Sequence, residues 1–300
     1  MTQRSKILPA VLAIVAGFAA APSFAQAPPP PPLPPPALDQ LVARIALYPD
    51  PLVAQILAAA TYPNDIPAAA QWADQHHYLT GQALAGAITA DQLPWDPSVQ
   101  ALLPFPSVLE MMNADMAWTT QIGNAFLAQQ RDVMDAIQRQ RGLAQRYGYL
   151  RTNGQVVVSG GPYITILPVN PGYVVVPYYD PAIVFFPPRP GFVVATGIRF
   201  GFGINVGGFF APWGWGPGLG IRFDWGARNV FFGGAVWGRN WANRGVYVHP
   251  GYGAFRRPER GAVRPPEGHQ LIQRSAPERA AQREGRAAPR EEHRGEERRR

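Results

Sequence analysis

One short segment of the sequence brings histidine and carboxylate side chains together: Asp74, His76 and His77. Metal binding or acid–base catalysis would need these groups to converge on one point. The two histidines are adjacent, so at a helix end their side chains point about 100° apart and share no face. The segment therefore favours solvated histidines near the negative end of a helix, and it predicts no metal site.

Other catalytic patterns do not occur in the sequence. The chain has no cysteine, which excludes thiol nucleophiles, thiolate metal sites and disulfide frameworks. Ser98, Ser107 and Ser159 lack the glycines of a nucleophile elbow, and Glu110 is the only glutamate before residue 256. The run GFGINVGG has no helical sequence after it, so it is not a nucleotide-binding fingerprint. The sequence thus predicts no catalytic residue and no cofactor.

One enzymatic alternative stays open. Asp74, Asp91 and Asp96 could serve an envelope hydrolase or a wall-polymer-modifying enzyme, because two carboxylates can act as acid and base. A deep polar pocket that gathers two of them would favour this enzyme. A convex helical surface without such a pocket would favour an interaction protein.

The residues 191–255, which we call the Gly/aromatic segment, hold 17 glycines and 16 aromatic residues. Within them GIRFGFG at 197–203 returns as GIRFDWG at 220–226, and apolar residues alternate in both copies. This period of two predicts an amphipathic β-hairpin that turns through APWGWGPG. Its aromatic face would need cover from the helical part, another copy or a membrane surface. The alternative is low-complexity sequence without fixed structure.

Before that segment, β-branched runs at 155–159 and 163–169 predict strands. The runs 173–176 and 182–186 each follow an Asn-Pro or Asp-Pro pair, which predicts a turn–strand repeat. Pro168, Pro177 and Pro187 cannot donate to a sheet ladder, so these strands should be edges or extended segments that lie over the helices.

Aromatic side chains provide the candidate interaction residues. In the strands, tyrosines either line a ligand groove or serve only packing: Tyr163, Tyr173, Tyr178 and Tyr179. From both aromatic regions we select six residues for an interaction surface: Phe200, Phe202, Phe223, Trp225, Tyr178 and Tyr179.

The region 38–147 carries helix signals. Asp50 and Asp96 each precede a proline, a pattern in which the carboxylate caps a helix and proline takes its first position. Apolar residues at spacings of four and seven predict one long helix over 107–147, with Asp135 and Arg139 paired on its outer face. Met111, Met112, Met116 and Met134 are predicted core filler. The predicted helices are 38–47, 51–60, 67–75, 80–88, 97–103 and 107–147.

Several long motifs resemble a known bacterial family. The runs ALYPDPLVAQILAAATYP, WDPSVQALLPFPSVLEMM, AFLAQQRDVMDAIQRQR and VVVPYYDPAIVFF occur in this order between Leu38 and Phe186. They resemble the family catalogued as domain of unknown function 3300. The resemblance implies an exported envelope protein with a helical module, a short β segment and a low-complexity C-terminal region. It implies no reaction and no catalytic residue.

Both ends of the chain point to the cell envelope. Residues 1–25 have the charged, apolar and small-residue parts of a signal peptide, with cleavage after Ala25 and a periplasmic or envelope location. A run of eight prolines from Pro28 to Pro36 predicts an extended spacer. Residues 26–255 hold 12 Arg against 12 Asp plus Glu, whereas residues 256–300 hold 13 Arg against 8 Glu. This tail is predicted to be disordered, as an arm for anionic surfaces or as a solubilising polyampholyte.

These observations predict an α+β fold and a contact function. The expected divisions are a signal peptide (1–25), a proline-rich spacer (26–37), a helical domain (38–150), a short antiparallel β segment (151–190), the Gly/aromatic segment and a basic tail (256–300). The expected partners are an envelope protein or an anionic polymer or lipid surface, with self-association also open. Nucleic acid is not expected, and neither is a transmembrane helix in the mature chain.

Overall fold

The computed structural model describes residues 28–188, 197–216, 220–232 and 234–245. The predicted signal peptide and the predicted tail lie outside these ranges. Within them the chain is an α+β protein, as predicted: a block of helices is followed by short antiparallel strands.

The helical block covers residues 35–146. Proline stands at the first or second position of five of its helices, where its missing N–H leaves no hydrogen bond unmade. The first helix begins at Pro35, inside the proline run and three residues before the predicted start. The helices are α1 (Pro35–Val42), α2 (Asp50–Ala60), α3 (Ile66–Gln75), α4 (Gly81–Ala90), α5 (Pro97–Gln100), α6 (Pro106–Ala114), α7 (Met116–Ala128) and α8 (Gln130–Arg146).

The prediction of one long helix over 107–147 is wrong, because breaks at Asp115 and Gln129 separate α6, α7 and α8. The Asp115 carboxylate accepts a hydrogen bond from the Trp118 backbone N–H and so caps α7. The Gln129 side chain accepts from the Leu33 N–H at 2.7 Å and donates to the Leu33 carbonyl at 3.2 Å. The apolar spacing continues across both breaks, so periodicity alone did not reveal them.

The predicted charge pair within α8 is also wrong. Arg139 pairs with Asp39 of α1 at 2.7 Å, and Asp135 accepts from Arg228 of the Gly/aromatic segment at 2.8 Å. Each side chain reaches another element instead of its own helix. The two pairs therefore join α8 to its neighbours.

Helix α2 lies inside the core, with ten of its eleven residues buried. It packs against α5 and α7. At the α7 crossing, a Cβ on Gly123 would lie 2.0 Å from the Ala60 carbonyl oxygen, so only glycine permits this approach. The four methionines pack into or against the same core, which confirms their predicted role: Met111, Met112, Met116 and Met134.

The strands pair in small antiparallel sheets. The two strands predicted at 155–159 and 163–169 form the first pair, β1 (Val156–Ser159) with β2 (Thr165–Pro168). The next two strands, β3 (Tyr173–Val174) and β4 (Pro177–Tyr179), lie in two-stranded sheets, so Pro177 has the predicted edge position. The remaining strands are β5 (Ile198–Phe200), β6 (Ile204–Asn205), β7 (Arg222–Asp224), β8 (Asn229–Phe232) and β9 (Ala235–Val236).

The predicted strand over 182–186 is wrong. A short helix, α9 (Pro181–Val184), begins there, and the Asp180 carboxylate accepts a hydrogen bond from the Ala182 N–H. This is the same Asp-Pro helix start as in α5. The β-branched and aromatic residues that follow gave the strand signal, but the cap decides the local structure.

The predicted hairpin between the two repeat copies is wrong as well. Strand β5 of the first copy pairs with β4, and β6 pairs with β3. Strand β7 of the second copy pairs with β8, which also pairs with β9. Part of the predicted turn belongs to a 3-10 helix, Gly208–Trp213. Each copy therefore pairs with a strand outside the repeat rather than with the other copy.

The helices cover the apolar face of these strands. The buried hydrophobic residues of helices and strands form one continuous cluster. Three indole N–H groups of the Gly/aromatic segment donate to the helical block: Trp213 to Gln100 at 2.9 Å, Trp215 to the Ala101 carbonyl at 2.8 Å, and Trp225 to Asp50 at 2.9 Å. Of the three predicted kinds of cover, the helical part is the one that occurs here.

None of the helices within the described ranges combines the length and the apolar character that crossing a bilayer requires.

Candidate functional site

A cavity of about 390 Å³ opens between the α3–α4 connection and the Gly/aromatic segment. Both histidines singled out by the sequence, His76 and His77, line it. The Gly/aromatic segment contributes Asn205 of β6 and Phe210 of the 3-10 helix. The other lining residues are Ala73, Leu79, Thr80, Gly81, Leu84, Leu103, Pro104, Pro106, Gly203 and Ile204.

Hydrogen bonds to the end of α3 orient both imidazole rings. The Nδ1 atom of His76 lies 2.8 Å from the Trp72 carbonyl oxygen, and Nδ1 of His77 meets the Asp74 carbonyl oxygen. A carbonyl oxygen only accepts, so each Nδ1 carries the proton. Each Nε2 is then the ring atom left for another partner. The His76 ring is further held by stacking on Trp72, with 3.9 Å between ring centroids.

Two exposed aromatic rings flank the cavity along the chain. Phe202 is 98% exposed and directly precedes Gly203. Tyr78 is 69% exposed and lies between His77 and Leu79. The Tyr78 ring lies beside the cavity, since its centroid is 6.4 Å from the His76 ring and 6.0 Å from the His77 ring, and both imidazoles line the cavity. Phe202 directly precedes the lining run Gly203, Ile204 and Asn205 in the chain.

The structure distributes the six selected aromatic residues differently. Phe202 and Tyr178 are exposed, whereas Phe200 and Phe223 are half-buried and Trp225 is buried. The Tyr179 hydroxyl points inward: it donates to the Ala43 carbonyl at 2.8 Å and accepts from the Leu47 N–H. Burial raises the pKa of Tyr179 above its ordinary range. Only Phe202 and Tyr178 therefore present most of their rings to solvent.

A buried ion pair joins four elements below the surface. Arg141 of α8 is fully buried and donates to Asp50 at 2.6 Å, and the indole of Trp225 donates to the same carboxylate. The Asp50 carboxylate also accepts from the Ile166 N–H at 3.2 Å. The guanidinium donates to three backbone carbonyls as well: Ala46, Tyr48 and Ile164. Asp50 was predicted to cap α2, but it makes no cap bond and serves this pair instead.

A second buried polar cluster surrounds Asp96. As predicted, Asp96 caps α5: one carboxylate oxygen accepts from the Ser98 N–H at 2.8 Å and from the Ser98 hydroxyl. The carboxylate also interacts with Tyr62 and with the Arg239 charge. The Arg239 guanidinium lies 3.9 Å from the Tyr62 ring centroid and donates to the Thr61 carbonyl at 3.2 Å.

Burial raises the pKa of the Asp96 carboxyl to about 6, although the Ser98 hydrogen bonds, Tyr62 and Arg239 all act to lower it. Burial, with the Asp96 charge as a second cause, raises the Tyr62 pKa above its ordinary range. Asp96 is only 3% exposed and holds a helix end. The raised pKa of Asp96 therefore follows from its buried position at the helix end.

This shift predicts the pH dependence of stability. The folded-state pKa lies above the unfolded value of 3.8, so the folded chain binds the proton more tightly. Protonated Asp96 contributes its full stabilisation below pH 4. As pH rises through 6 this contribution is lost, and the free energy of unfolding falls by about 3 kcal/mol. Asp96→Asn keeps a capping side chain and removes the titration. Urea unfolding between pH 4 and 7 should show a flatter free energy of unfolding for the variant.

Asp96→Ala is the matched control for the cap. It should flatten the pH profile as Asp96→Asn does, but its free energy of unfolding should lie about 1 kcal/mol below that of Asp96→Asn at every pH, because it lacks the cap. A profile for Asp96→Asn as steep as that of the unmodified chain would contradict the assignment.

The three aspartates of the enzymatic alternative do not come together at the cavity. Asp74 is exposed at the end of α3, and Asp91 accepts from the Trp72 indole at 2.8 Å. Asp96 is buried in its own cluster. None of the three lines the described cavity, whose polar groups are imidazole, hydroxyl and amide. Sequence reasoning missed Asn205, because its place beside the histidines depends on packing between distant segments. It also missed Tyr78 and Thr80, which adjoin the histidines in the chain but belong to no catalytic motif.

Comparison with known proteins decides the family. The model of the family described as "Protein of unknown function (DUF3300)" matches residues 35–250. The chain belongs to this family. The match extends beyond the motifs that suggested it and takes in most of the Gly/aromatic segment.

A relative from Escherichia coli (strain K12), described as "Uncharacterized protein YacH", is 34% identical over 215 residues. The alignment covers 57% of this chain and 34% of YacH, so the matched region spans about a third of the relative's length. No solved structure matches the chain.

Proposed function

We propose that this DUF3300 protein is exported to the bacterial cell envelope and acts there through binding contacts rather than through a reaction. The N-terminal signal pattern supports export, and the excess of arginine in residues 256–300 supports attraction to anionic surfaces. In the described region, by contrast, four arginines pair with aspartates of the same chain: Arg44, Arg139, Arg141 and Arg228.

One observation carries the contact role: the exposed aromatic surface formed by Tyr173, Tyr178 and Phe202. The two tyrosine rings pack over glycine backbone, Tyr178 on Gly201 and Tyr173 on Gly203. Their outer faces and the whole Phe202 ring remain exposed. Large apolar rings grouped at a surface are typical of a partner-binding site, because water contact there costs free energy that a partner removes.

Cell fractionation tests this proposal. The full chain, produced in its native bacterium, should leave the cytoplasm without residues 1–25 and sediment with envelope material. Phe202→Asp should move at least half of it to the soluble fraction, since a carboxylate cannot enter an apolar contact without a large desolvation penalty. Phe186→Asp, at an exposed phenylalanine outside this surface, should not.

A chain ending at Phe255 separates the contribution of the tail. It should keep the part of the sedimentation that resists salt and lose the part that salt removes, because salt screens only the electrostatic attraction. Cytoplasmic retention of the full chain, or equal sedimentation of Phe202→Asp and the unmodified chain, would overturn the proposal.

A further inference from the structure

We propose that the 390 Å³ cavity binds a segment of uncharged glycan, with Phe202 and Tyr78 in contact with sugar rings at its edge. This inference rests on the proposed function, since it names the class of envelope polymer that the contact surface recognises. It concerns a site formed by α3, α4 and the Gly/aromatic segment together.

The size and the position of the cavity fit an oligomer segment. A volume of about 390 Å³ lies in the range of sites for small organic ligands. The exposed rings adjoin different walls along the chain, Tyr78 beside His77 and Leu79 of the α3–α4 connection and Phe202 beside Gly203 of the β5–β6 connection. A ligand that contacts both rings must extend across the opening, as a chain of linked sugars does.

The charge of the lining points to a neutral ligand. The described residues that line the cavity include no aspartate, glutamate, lysine or arginine. Burying a charged group without a partner of opposite charge is costly. A sulfated, phosphorylated or uronic-acid polymer would bring such charges into this site, whereas a neutral glycan would not.

The polar groups of the lining suit hydroxyl groups, which both donate and accept. The Thr80 hydroxyl donates or accepts and makes no cap bond at the start of α4. The Asn205 side-chain oxygen accepts from the Gly207 N–H at 3.0 Å, so its NH₂ group remains as a donor. The Nε2 atoms of His76 and His77 accept in the neutral rings, because Nδ1 holds the proton in each.

The apolar lining residues suit the C–H face of a sugar ring. Pyranose rings carry C–H groups on one face and hydroxyl groups around the edge. Leu79, Leu103 and Phe210 give the cavity an apolar wall, and the rings of Phe202 and Tyr78 add planar apolar surfaces at the edge. Dispersion contacts between such surfaces are individually small and add over the ring area.

Calorimetric titration of the purified mature chain tests the inference. The probes are three neutral tetrasaccharides, namely tetra-N-acetylchitotetraose, cellotetraose and maltotetraose. At least one should bind with a Kd below about 1 mM, the strength expected for a small number of such contacts. An anionic probe, tetragalacturonate, should bind at least about tenfold more weakly than that tetrasaccharide.

Variants at the edge and inside the cavity locate the binding. Phe202→Ala and Tyr78→Ala should each weaken it about tenfold, the effect of about 1.4 kcal/mol. Thr80→Val keeps the side-chain shape and removes one hydroxyl, with a loss of about fivefold. Phe186→Ala, at an exposed ring outside the cavity, should leave the Kd unchanged. Equal melting temperatures for all four variants would confirm that they fold.

Absence of binding by all three tetrasaccharides would overturn the inference, and so would binding that the cavity variants leave unchanged. Tighter binding of an uncharged tetrapeptide, N-acetyl-tetraalanine amide, than of every tetrasaccharide would overturn it in favour of a peptide site. Export and sedimentation are measured separately in cells. A chain that sediments normally but binds no glycan would therefore refute the glycan inference alone.

Discussion

Gly123→Ala should destabilise the chain by about 3 kcal/mol, because it places a methyl group where two helices touch backbone to backbone. The new Cβ would lie 2.0 Å from the Ala60 carbonyl oxygen and 2.5 Å from its carbon. Neither atom can move without shifting α2, which is buried along nearly its whole length. Overpacking of this kind typically costs about 1–3 kcal/mol, and contact with backbone puts this case at the upper end. Urea unfolding followed by circular dichroism measures it.

Gly142→Ala is the matched control. Gly142 also lies within a helix, α8, but a Cβ there would meet no atom within 4 Å. Alanine should therefore stabilise the chain by about 0.5–1 kcal/mol, the usual difference between the two residues in a helix. Equal effects at Gly123 and Gly142 would contradict the close crossing of α7 and α2.

Local signals in the sequence predicted much of the helical block. The Asp-Pro pair at Asp96 marked the start of α5 correctly, because a cap depends only on residues one turn apart. The same pair at Asp180 starts α9 but was interpreted as a turn before a strand. At Asp50 the helix starts where predicted, but the carboxylate turns inward to partners that local sequence does not reveal.

Long-range pairing could not be predicted from the sequence. Alternation in the Gly/aromatic segment predicted one apolar face, and Ile198, Ile221 and Trp225 of that face are buried, although Trp225 was selected for an interaction surface. It did not predict that β5 pairs with β4, since many strands of similar pattern could serve as partners. The fully exposed Phe202 breaks the alternation in the first copy, and it is the residue that the contact proposal uses.

The candidate site was only partly visible in the sequence. His76 and His77 stood out as a pair and do line the cavity, but its other polar groups, Thr80 and Asn205, are 125 residues apart in the chain. Arg141 gave no signal either, because a buried arginine and a surface arginine look alike in a polar helical run. Its partner Asp50 lies 91 residues earlier.

Arg141→Met should lower the free energy of unfolding by about 3–5 kcal/mol. Methionine removes four hydrogen bonds of the guanidinium and leaves the Asp50 carboxylate buried without its counter-charge. The Trp225 indole also loses the guanidinium that lies 4.9 Å from its ring centroid. Urea unfolding at pH 7 measures the loss.

The control is Arg139→Met, two residues earlier in the same polar run. Arg139 pairs with Asp39 at 2.7 Å, but both side chains are partly exposed. Surface pairs contribute about 0–1 kcal/mol, so this variant should change the free energy of unfolding by no more than that. If Arg141→Met lowered the free energy of unfolding as little as Arg139→Met, the result would contradict the stabilising role of the buried Arg141–Asp50 pair.

The described part of the Gly/aromatic segment is a folded cover of the helices and shares their core. Native-state hydrogen exchange of the unmodified chain and Arg141→Met tests it residue by residue. The amides of β8 and of α2 should exchange through openings of the same free energy. This opening free energy should fall by the same amount for both elements in Arg141→Met. Free exchange in β8 while α2 stays protected would contradict the claim.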